Sequence, residues 1–169
     1  MKKTIVIAPC YNEGEKILEV TRRMMALPTG QIDCFLVVDD GSTDGSPEIA
    51  QSLGAMVLSV GSMKGVGYAL RLGYQYAIKN DFDIIVTIAG NNKDEPKEII
   101  DLVRPIIEQK ADFVQGARFL KEQTFGEMPL YRKMATKVHP LLFSLCVGKR
   151  VIESTNGFRA FTREILLDP

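Results

Sequence analysis

Two adjacent acidic residues, Asp39 and Asp40, follow directly on an apolar run and precede a turn-forming cluster. The run at 34–38 is short, apolar and β-prone, which predicts a buried inner strand of a parallel sheet. Ligands of open parallel α/β sheets bind beyond the carboxyl ends of the strands, so we expect this pair at a binding edge. Neighbouring carboxylates repel each other and need a partner such as a sugar hydroxyl, a base N–H, a metal ion or an arginine. The alternative is a polar loop whose acids cap a helix.

A second candidate is the glycine-rich loop at 61–67, which carries Lys64 and Gly65 and precedes a predicted helix. A Walker loop would end in Gly-Lys-Ser/Thr, whereas here the lysine comes before Gly65. A dinucleotide fingerprint would follow the first strand, where this chain has PCYNE at 9–13. The loop therefore either accepts a phosphate through backbone N–H groups and one lysine, or is a turn with a solvated lysine.

Histidine and cysteine offer little chemistry in this chain. His139 is the only histidine, which excludes multi-histidine metal sites, and its position before Pro140 in an apolar helical stretch argues against Ser-His-Asp and Cys-His chemistry. Three cysteines without Cys-x-x-Cys spacing argue against a disulfide framework or a zinc site and suit a reducing compartment. Any reaction must run on carboxylates, hydroxyls, cations and bound ligands.

Three arginines, Arg118, Arg132 and Arg159, follow or flank segments predicted to end at the same sheet edge. Guanidinium forks suit phosphate oxygens. Apolar side chains lie among them, namely Phe119, Phe125, Met128, Leu130 and Tyr131. This mixture fits an acceptor with an anionic head and an apolar tail, and the alternative is scattered surface charge around a helix.

Strand and helix alternate five times along the 169 residues. Strands are predicted at 5–8, 34–38, 55–60, 84–88 and 113–117, with a last extended piece at 159–162. Helices are predicted at 15–27, at 47–53 with Ser46 as N-cap, from 69 onward, from 96 onward with Ile99, Ile100, Val103 and Ile107 inward, and at 130–147 with an interruption at Pro140. This pattern predicts one domain over 1–169, of the α/β class with a mainly parallel sheet.

Net charge and hydropathy limit the cellular locations and the binding partners that the sequence predicts. The 21 basic and 21 acidic residues cancel, so no whole-molecule field attracts nucleic acid. The apolar runs at 5–8 and 141–147 are too short for a signal-peptide core and for the roughly 20 residues of a membrane span, respectively. We therefore expect a soluble, cytoplasmic protein that can touch a membrane at its inner face.

The sequence resembles family 2 glycosyltransferases with the GT-A fold in three segments, PCYNE at 9–13, VVDDGSTDG at 37–45 and KGVG at 64–67. Three later segments are similar to the dolichyl-phosphate mannosyltransferase branch, namely GARF at 116–119, RKMAT at 132–136 and NGFRAF at 156–161. The resemblance covers most of the chain. It implies a three-layer α/β/α sandwich of the nucleotide-diphospho-sugar transferase type.

For the sugar donor, the resemblance implies a set of binding residues around the paired acids. The nucleoside is expected to contact Pro9, Tyr11, Glu13 and Asp39, with Asp40 close by at the same strand end. Apart from the resemblance, Lys64 and Gly65 of the glycine-rich loop and Lys93 are the candidates for the phosphate side of the donor.

For the acceptor, the resemblance implies a polyprenyl phosphate. Its phosphate is expected to face Arg118, Arg132, Thr136 and Arg159. A phosphate oxygen is already anionic and needs no protein base, so the lack of a catalytic histidine is consistent with this acceptor.

The segment after the fourth strand departs from the family. The family places Asp-x-Asp there to hold a divalent cation on the diphosphate, and this chain has AGN at 89–91. Asn91 and Asp94 could hold a largely hydrated Mg²⁺ or Mn²⁺, which makes the metal weak or dispensable. Lys93 could instead stand against the diphosphate as a point charge. A plain turn, with Glu95 capping the next helix, is the third possibility.

We expect an inverting glycosyltransferase of glycan biosynthesis that moves a sugar from a nucleotide-diphosphate donor to a polyprenyl, dolichyl-type phosphate at a membrane. The alternative is a nucleotide or nucleotide-sugar binding domain without turnover, which the altered segment at 89–91 favours. The branch continues beyond its counterpart of 156–161 with a further helix and sheet edge. The resemblance therefore implies that part of the acceptor side lies outside these 169 residues.

Overall fold

The computed structural model describes residues 2–117, 130–148, 150–153 and 155–167. The chain divides into two compact units, a larger one of Met1–Val114 with Phe158–Pro169 and a smaller one of Gln115–Gly157.

Six strands form one sheet: β1 Thr4–Cys10, β2 Cys34–Asp39, β3 Met56–Ser59, β4 Ile84–Thr87, β5 Phe113–Gln115 and β6 Arg159–Thr162. Their order across the sheet is β3-β2-β1-β4-β6-β5. Strand β1 pairs in parallel with β2 and β4, and β2 pairs in parallel with β3. Strand β6 pairs antiparallel with β4. The prediction of an α/β fold with a mainly parallel sheet is therefore confirmed.

The described residues contain six α-helices: α1 Glu15–Met25, α2 Ser46–Ser52, α3 Val66–Lys79, α4 Ile99–Ile107, α5 Leu130–Val147 and α6 Glu164–Leu167. A 3₁₀ turn, Pro96–Glu98, leads into α4. Helices α1 to α3 each follow a parallel strand, which is how a parallel sheet returns its chain to the starting edge.

Two apolar cores cover the two faces of the sheet in the larger unit. Alternation along β1 sends Val6 and Ala8 to one face and Ile5 and Ile7 to the other. Buried residues of α1 and α4 pack on the first face, namely Ile17, Val20, Met24, Leu102 and Ile106. Ala69 and Ala77 of α3 pack on the second face. The expected three layers, helix on sheet on helix, follow from this two-sided burial.

Helix α3 lies unusually close to the sheet at Gly73. A Cβ atom at this position would lie 2.7 Å from Cγ2 of Ile7, a side chain that is fully buried. The absence of a side chain at Gly73 thus allows α3 to pack this closely on β1.

Two helix details differ from the sequence prediction. Ser46 was expected as the N-cap of α2, but Gly45 occupies that position in a left-handed conformation. In α4 the buried face is Ile99, Leu102, Val103 and Ile106, while Ile107 is 52% exposed. Both the expected and the observed α4 faces satisfy a 3.6-residue period, so periodicity alone could not choose between them.

The smaller unit contains α5, which was predicted to be interrupted at Pro140. That prediction is wrong, since the helix continues through Pro140. Ser144 Oγ donates to the Pro140 carbonyl at 2.6 Å, and the same hydroxyl accepts from the Val151 amide at 2.8 Å. Ser144 thus fastens the chain that follows the helix to the helix itself.

Candidate functional site

The polar loops predicted to carry function meet at one edge of the sheet. In the parallel register Cys10 lies beside Asp39, and Asp39 lies beside Ser59, so β1, β2 and β3 end together. Because β6 runs antiparallel, its first residue, Arg159, lies beside Thr87 at the end of β4. This edge is where a ligand of an open α/β sheet is expected.

Asp39 ends β2 and is only 3% exposed. Its carboxylate accepts hydrogen bonds from the Gly41 amide at 3.3 Å and from the Ser42 amide at 3.1 Å. The Ser59 hydroxyl donates to the same carboxylate at 3.2 Å. Asp39 therefore shapes the turn that follows β2 and ties it to β3.

Asp40 is also buried, at 4% exposure, and binds a different loop. Its two oxygens accept from the backbone N–H groups of Lys64 and Gly65, each at 2.8 Å. These two N–H groups already have an acceptor, which is a reason not to count them as phosphate donors in the loop. From sequence we expected a sugar hydroxyl, a base N–H, a metal ion or an arginine beside the paired acids, whereas the structure pairs them with backbone amides and the Ser59 hydroxyl.

Gly41 allows the two loops to touch. A Cβ atom there would lie 2.8 Å from the Met63 backbone nitrogen, and its φ of +83° is one that side chains rarely adopt. Above this contact the Lys64 ammonium group lies 4.7 Å from the centre of the Tyr68 ring, a cation–π arrangement that keeps the charge near the loop.

The loop after β1 is held to the loop after β2 by four hydrogen bonds. Asn12 N–H donates to Ser42 Oγ at 3.0 Å, and Thr43 N–H donates to Asn12 Oδ1 at 2.8 Å. The Glu13 and Gly14 amides donate to Ser46 Oγ at 3.0 and 2.8 Å. Ser46, which the sequence suggested as a helix cap, is therefore a brace between loops. Only its position after the paired acids could have suggested this.

The predicted nucleoside-contacting residues lie around these braces. Tyr11 is 44% exposed, and Pro9 is the second-last residue of β1. The Glu13 carboxylate lies 3.3 Å from the Lys16 ammonium group. Beneath them, burial raises the pKa of the Cys10 thiol to about 11, so this thiol is neutral near neutral pH.

The loop after β4 is fixed at its start by close contact with β1. A Cβ atom at Gly90 would lie 2.6 Å from the Pro9 carbonyl oxygen, so only glycine fits there. The Ala89 amide donates to Asp94 Oδ2 at 2.9 Å, which closes the loop on itself. This loop thus lies directly beside the first nucleoside-binding segment.

Arg23 of α1 fixes the far side of the same loop. Its Nη1 donates to Asn92 Oδ1 at 2.6 Å, and its Nη2 forms an ion pair with the Glu95 carboxylate. The hydrogen bond from Arg23 holds the pKa of Glu95 below its ordinary value. The sequence interpretation missed Arg23, because its spacing within α1 carries no motif.

The donors available to a divalent cation are sparse in this loop. The Asn91 side-chain oxygen is buried and has no hydrogen-bond partner, and it is neutral. The Asp94 carboxylate already accepts from Ala89. No group of three histidine, cysteine, aspartate or glutamate side chains suited to a metal occurs among the described residues. Such a donor set does not fit a tightly bound Mg²⁺ or Mn²⁺.

The predicted acceptor residues fall in different parts of the chain. Arg159 is half-buried at the start of β6, at the carboxyl edge of β1 to β4. Arg132 and Thr136 belong to α5 of the smaller unit, and Arg118 lies outside the described residues. Their convergence on one phosphate stays a prediction.

An open α/β sheet with its polar loops braced together along the carboxyl edge defines a protein of the open α/β class, whose ligands bind beyond the carboxyl ends of the strands. The sequence matches the profile of Glycosyl transferase family 2 over residues 5–167, and the chain belongs to that family.

Relatives with named activities extend this likeness. The polyprenol monophosphomannose synthase of Mycolicibacterium smegmatis is 30% identical over 98% of this chain and 63% of that protein. The UDP-N-acetylglucosamine–dolichyl-phosphate N-acetylglucosaminyltransferase of Methanococcus voltae is 28% identical over 98% of this chain and 71% of that protein. The chain thus spans less than two thirds of the length of the first of these relatives.

A solved structure confirms the fold. Glucosyl-3-phosphoglycerate synthase from Mycobacterium tuberculosis, solved with Mn²⁺, UDP and glucosyl-3-phosphoglycerate, superposes with a TM-score of 0.74 at 24% identity. The match covers 98% of this chain and 58% of that one. Among the described helices of our protein, none has the length and hydropathy needed to cross a membrane.

Proposed function

We propose that this protein is an inverting glycosyltransferase that moves a sugar from a nucleoside-diphosphate donor to a polyprenyl phosphate. The observation that carries the proposal is the set of braced loops at the carboxyl edge of β1, β2 and β3 in a chain of family 2. The names of two relatives, a polyprenol monophosphomannose synthase and a dolichyl-phosphate N-acetylglucosaminyltransferase, support the polyprenyl phosphate as acceptor.

The donor nucleoside is assigned to the loops after β1 and β2. Tyr11 is exposed and offers a ring for the base, while Pro9, Glu13 and Asp39 line the same edge. Asp40 acts indirectly, because its carboxylate holds the loop that carries Lys64. Gly65 contributes as part of that loop, since its N–H group is already bound by Asp40.

The acceptor phosphate is assigned to Arg118, Arg132, Thr136 and Arg159. One anionic phosphate oxygen attacks the anomeric carbon of the sugar, a new C–O bond forms, and the bond to the nucleoside diphosphate breaks with its electron pair on the departing phosphate. Attack from the face opposite the leaving group inverts the anomeric centre. No proton has to be removed from the acceptor, so the chain needs no histidine base. Replacing Arg159 with lysine should impair acceptor use more than donor binding, because lysine lacks the two parallel N–H donors.

For the divalent cation, we propose at most a weak and dispensable ion. Asn91 and Asp94 would contribute one neutral and one charged oxygen, and water would complete the coordination. When bound, such an ion would offset charge on the diphosphate.

Contact with a lipid surface is assigned to α5. Met134, Val138, Leu141 and Leu145 recur at helical spacing and are 61%, 47%, 61% and 73% exposed. Residues 130–150 include five basic residues and no acid, which complements anionic headgroups.

Vesicle sedimentation tests this surface. The protein should bind vesicles of phosphatidylglycerol more strongly than vesicles of phosphatidylcholine, and Leu141→Glu should weaken that binding. Ile107→Glu, a change of an apolar residue on α4 that is 52% exposed against 61% for Leu141, is the control. If Leu141→Glu alters the oligomeric state and leaves vesicle binding intact, the face binds a second copy and not a lipid surface.

A thermal-shift screen of nucleoside diphosphates and nucleotide-sugars tests the donor assignment. A ligand at a hundred times its dissociation constant stabilises the fold by about 2.7 kcal/mol, which is readily measured. We expect one base to raise the melting temperature more than the others. A flat response to every nucleotide would contradict the proposed function.

A further inference from the structure

The loop at 89–95 has a fixed shape that no ligand is needed to create. Gly90 is in close contact with Pro9, and Asp94 accepts from the Ala89 amide. On the other side Arg23 binds both Asn92 and Glu95. The loop is thus held at its beginning and at its end by the chain itself.

Arg23 binds a turn residue of this loop. Asn92 has a φ of +60°, in the left-handed region that asparagine adopts more readily than most residues with a side chain. The Arg23 side chain is 28% exposed, and its guanidinium places one nitrogen on each of two loop residues. This forked contact fixes the backbone on both sides of the residue at position 93.

Lys93 lies between these anchors. It is exposed, and the described residues include no ion pair or hydrogen bond of its ammonium group. The carboxylates next to it in sequence each have a partner, because Asp94 binds the Ala89 amide and Glu95 binds Arg23. Lys93 lies three positions after Gly90, so the chain places it at most about 10 Å from the contact between Gly90 and Pro9. Its charge is therefore available beside the proposed nucleoside site.

We propose that Lys93 supplies the positive charge for the donor diphosphate in place of a divalent cation, and that Arg23 is the positioning residue that holds the lysine there. The inference rests on the proposed function, since it needs a nucleoside diphosphate at this edge. It accounts for the sparse metal donors at Asn91 and Asp94 and for the interaction that Arg23 makes with two residues of one loop.

Calorimetry with the full chain tests the proposal. Each of UDP, GDP, ADP, CDP and TDP is titrated in EDTA and again in Mn²⁺, and the nucleoside of whichever diphosphate binds serves as the reference without phosphates. We expect the diphosphate to bind in EDTA with at most a severalfold gain from Mn²⁺. Lys93→Ala should weaken diphosphate binding by about tenfold or more and leave nucleoside binding unchanged. Lys97→Ala removes another exposed lysine close by in sequence and should have no effect.

A double-mutant cycle separates positioning by Arg23 from a general loss of structure. Arg23→Gln should weaken diphosphate binding, but it should add little when Lys93 is already alanine. Arg22→Gln, a change of the exposed neighbour on the same helix, is the matched control. Melting temperatures of all variants show that each is folded.

Three outcomes would overturn the inference. If binding is lost in EDTA, restored by Mn²⁺ and unchanged in Lys93→Ala, a metal ion supplies the charge for the diphosphate and the proposed function stands. If Arg23→Gln and Lys93→Ala weaken binding additively, Arg23 does not act through Lys93. If no nucleoside diphosphate binds under any condition, the proposed function itself fails, and this inference fails with it.

Discussion

Asp39 and Asp40 are neighbours in sequence, yet each holds a different part of the binding edge. Asp39 turns back on its own loop and on Ser59, whereas Asp40 reaches across to the amides of Lys64 and Gly65. The sequence correctly placed both acids at a strand end. It could not separate their contacts, because the partners are backbone amides and a serine with no distinctive spacing.

Asp40 is predicted to matter chiefly for stability. Asp40→Asn removes the charge of a buried acceptor and leaves one oxygen for two backbone N–H groups, so we expect a loss of about 1–3 kcal/mol in the free energy of unfolding by urea. Asp101→Asn, at an exposed aspartate of α4, is the control and should change stability by less than about 0.5 kcal/mol. Equal stability of the Asp40 variant and wild type would contradict the structure of this loop.

Asp39 is predicted to matter for nucleotide binding. It is 3% exposed and accepts three hydrogen bonds, so alanine would disturb the turn as well. Asp39→Asn keeps the size of the side chain and removes the charge. We expect nucleotide affinity to fall by roughly ten- to a hundredfold in calorimetry, as for the loss of a charged acceptor. Unchanged affinity in a folded variant would remove Asp39 from the site.

At the scale of elements, the strands were the most predictable part. The apolar runs and their alternation located β1, β2 and β4, because burial on both faces leaves a plain signal in the sequence. On the predicted α4 face, Ile99 and Val103 are buried but Ile107 is exposed, since two sets of positions fit the same period. The interlocked loops were not predictable, because their contacts join residues about thirty positions apart.

Helix α3 offers a matched pair of glycines for testing how closely it packs. Gly73→Ala would place a methyl group 2.7 Å from Ile7, whereas a Cβ atom at Gly67 would meet nothing within 4 Å. Both changes favour helix formation, so that gain largely cancels in the comparison. We expect Gly73→Ala to be less stable than Gly67→Ala by about 1–3 kcal/mol in urea unfolding. Equal stabilities would mean that α3 lies further from the sheet.

The contact between α1 and the loop at 89–95 should depend on pH. The pKa of Glu95 is lowered in the folded state, so folding favours the charged carboxylate. The contribution of the Glu95 carboxylate to the free energy of unfolding is therefore complete above its unfolded pKa of about 4.3. It is lost as the pH falls through the lower pKa of the folded state. Because Glu95 is 44% exposed, we expect Glu95→Gln to cost less than about 1 kcal/mol near pH 7 and nothing near pH 2. A cost that persists at the lower pH would contradict the ion pair.

For the whole molecule, family membership and fold agree with what the sequence implied. The matched profile spans residues 5–167, and the resemblance rested on segments distributed along that same length. Where the family has Asp-x-Asp, this chain has Ala89, Gly90 and Asn91. The structure shows in addition that Arg23 of α1 binds the loop that follows, a contact that no sequence motif indicates. Sequence therefore located the altered segment, and only coordinates revealed what holds it.

The most direct test is sugar transfer itself. The protein is incubated with polyprenyl phosphate and, in turn, a panel of UDP- and GDP-sugars, and the lipid is analysed by mass spectrometry. We predict that one donor yields a polyprenyl phosphate heavier by one sugar residue, with one nucleoside diphosphate released per lipid modified. A polyprenol without phosphate should remain unmodified. Tight binding of a nucleotide-sugar without any glycosylated lipid would contradict the account and indicate a binding domain without turnover.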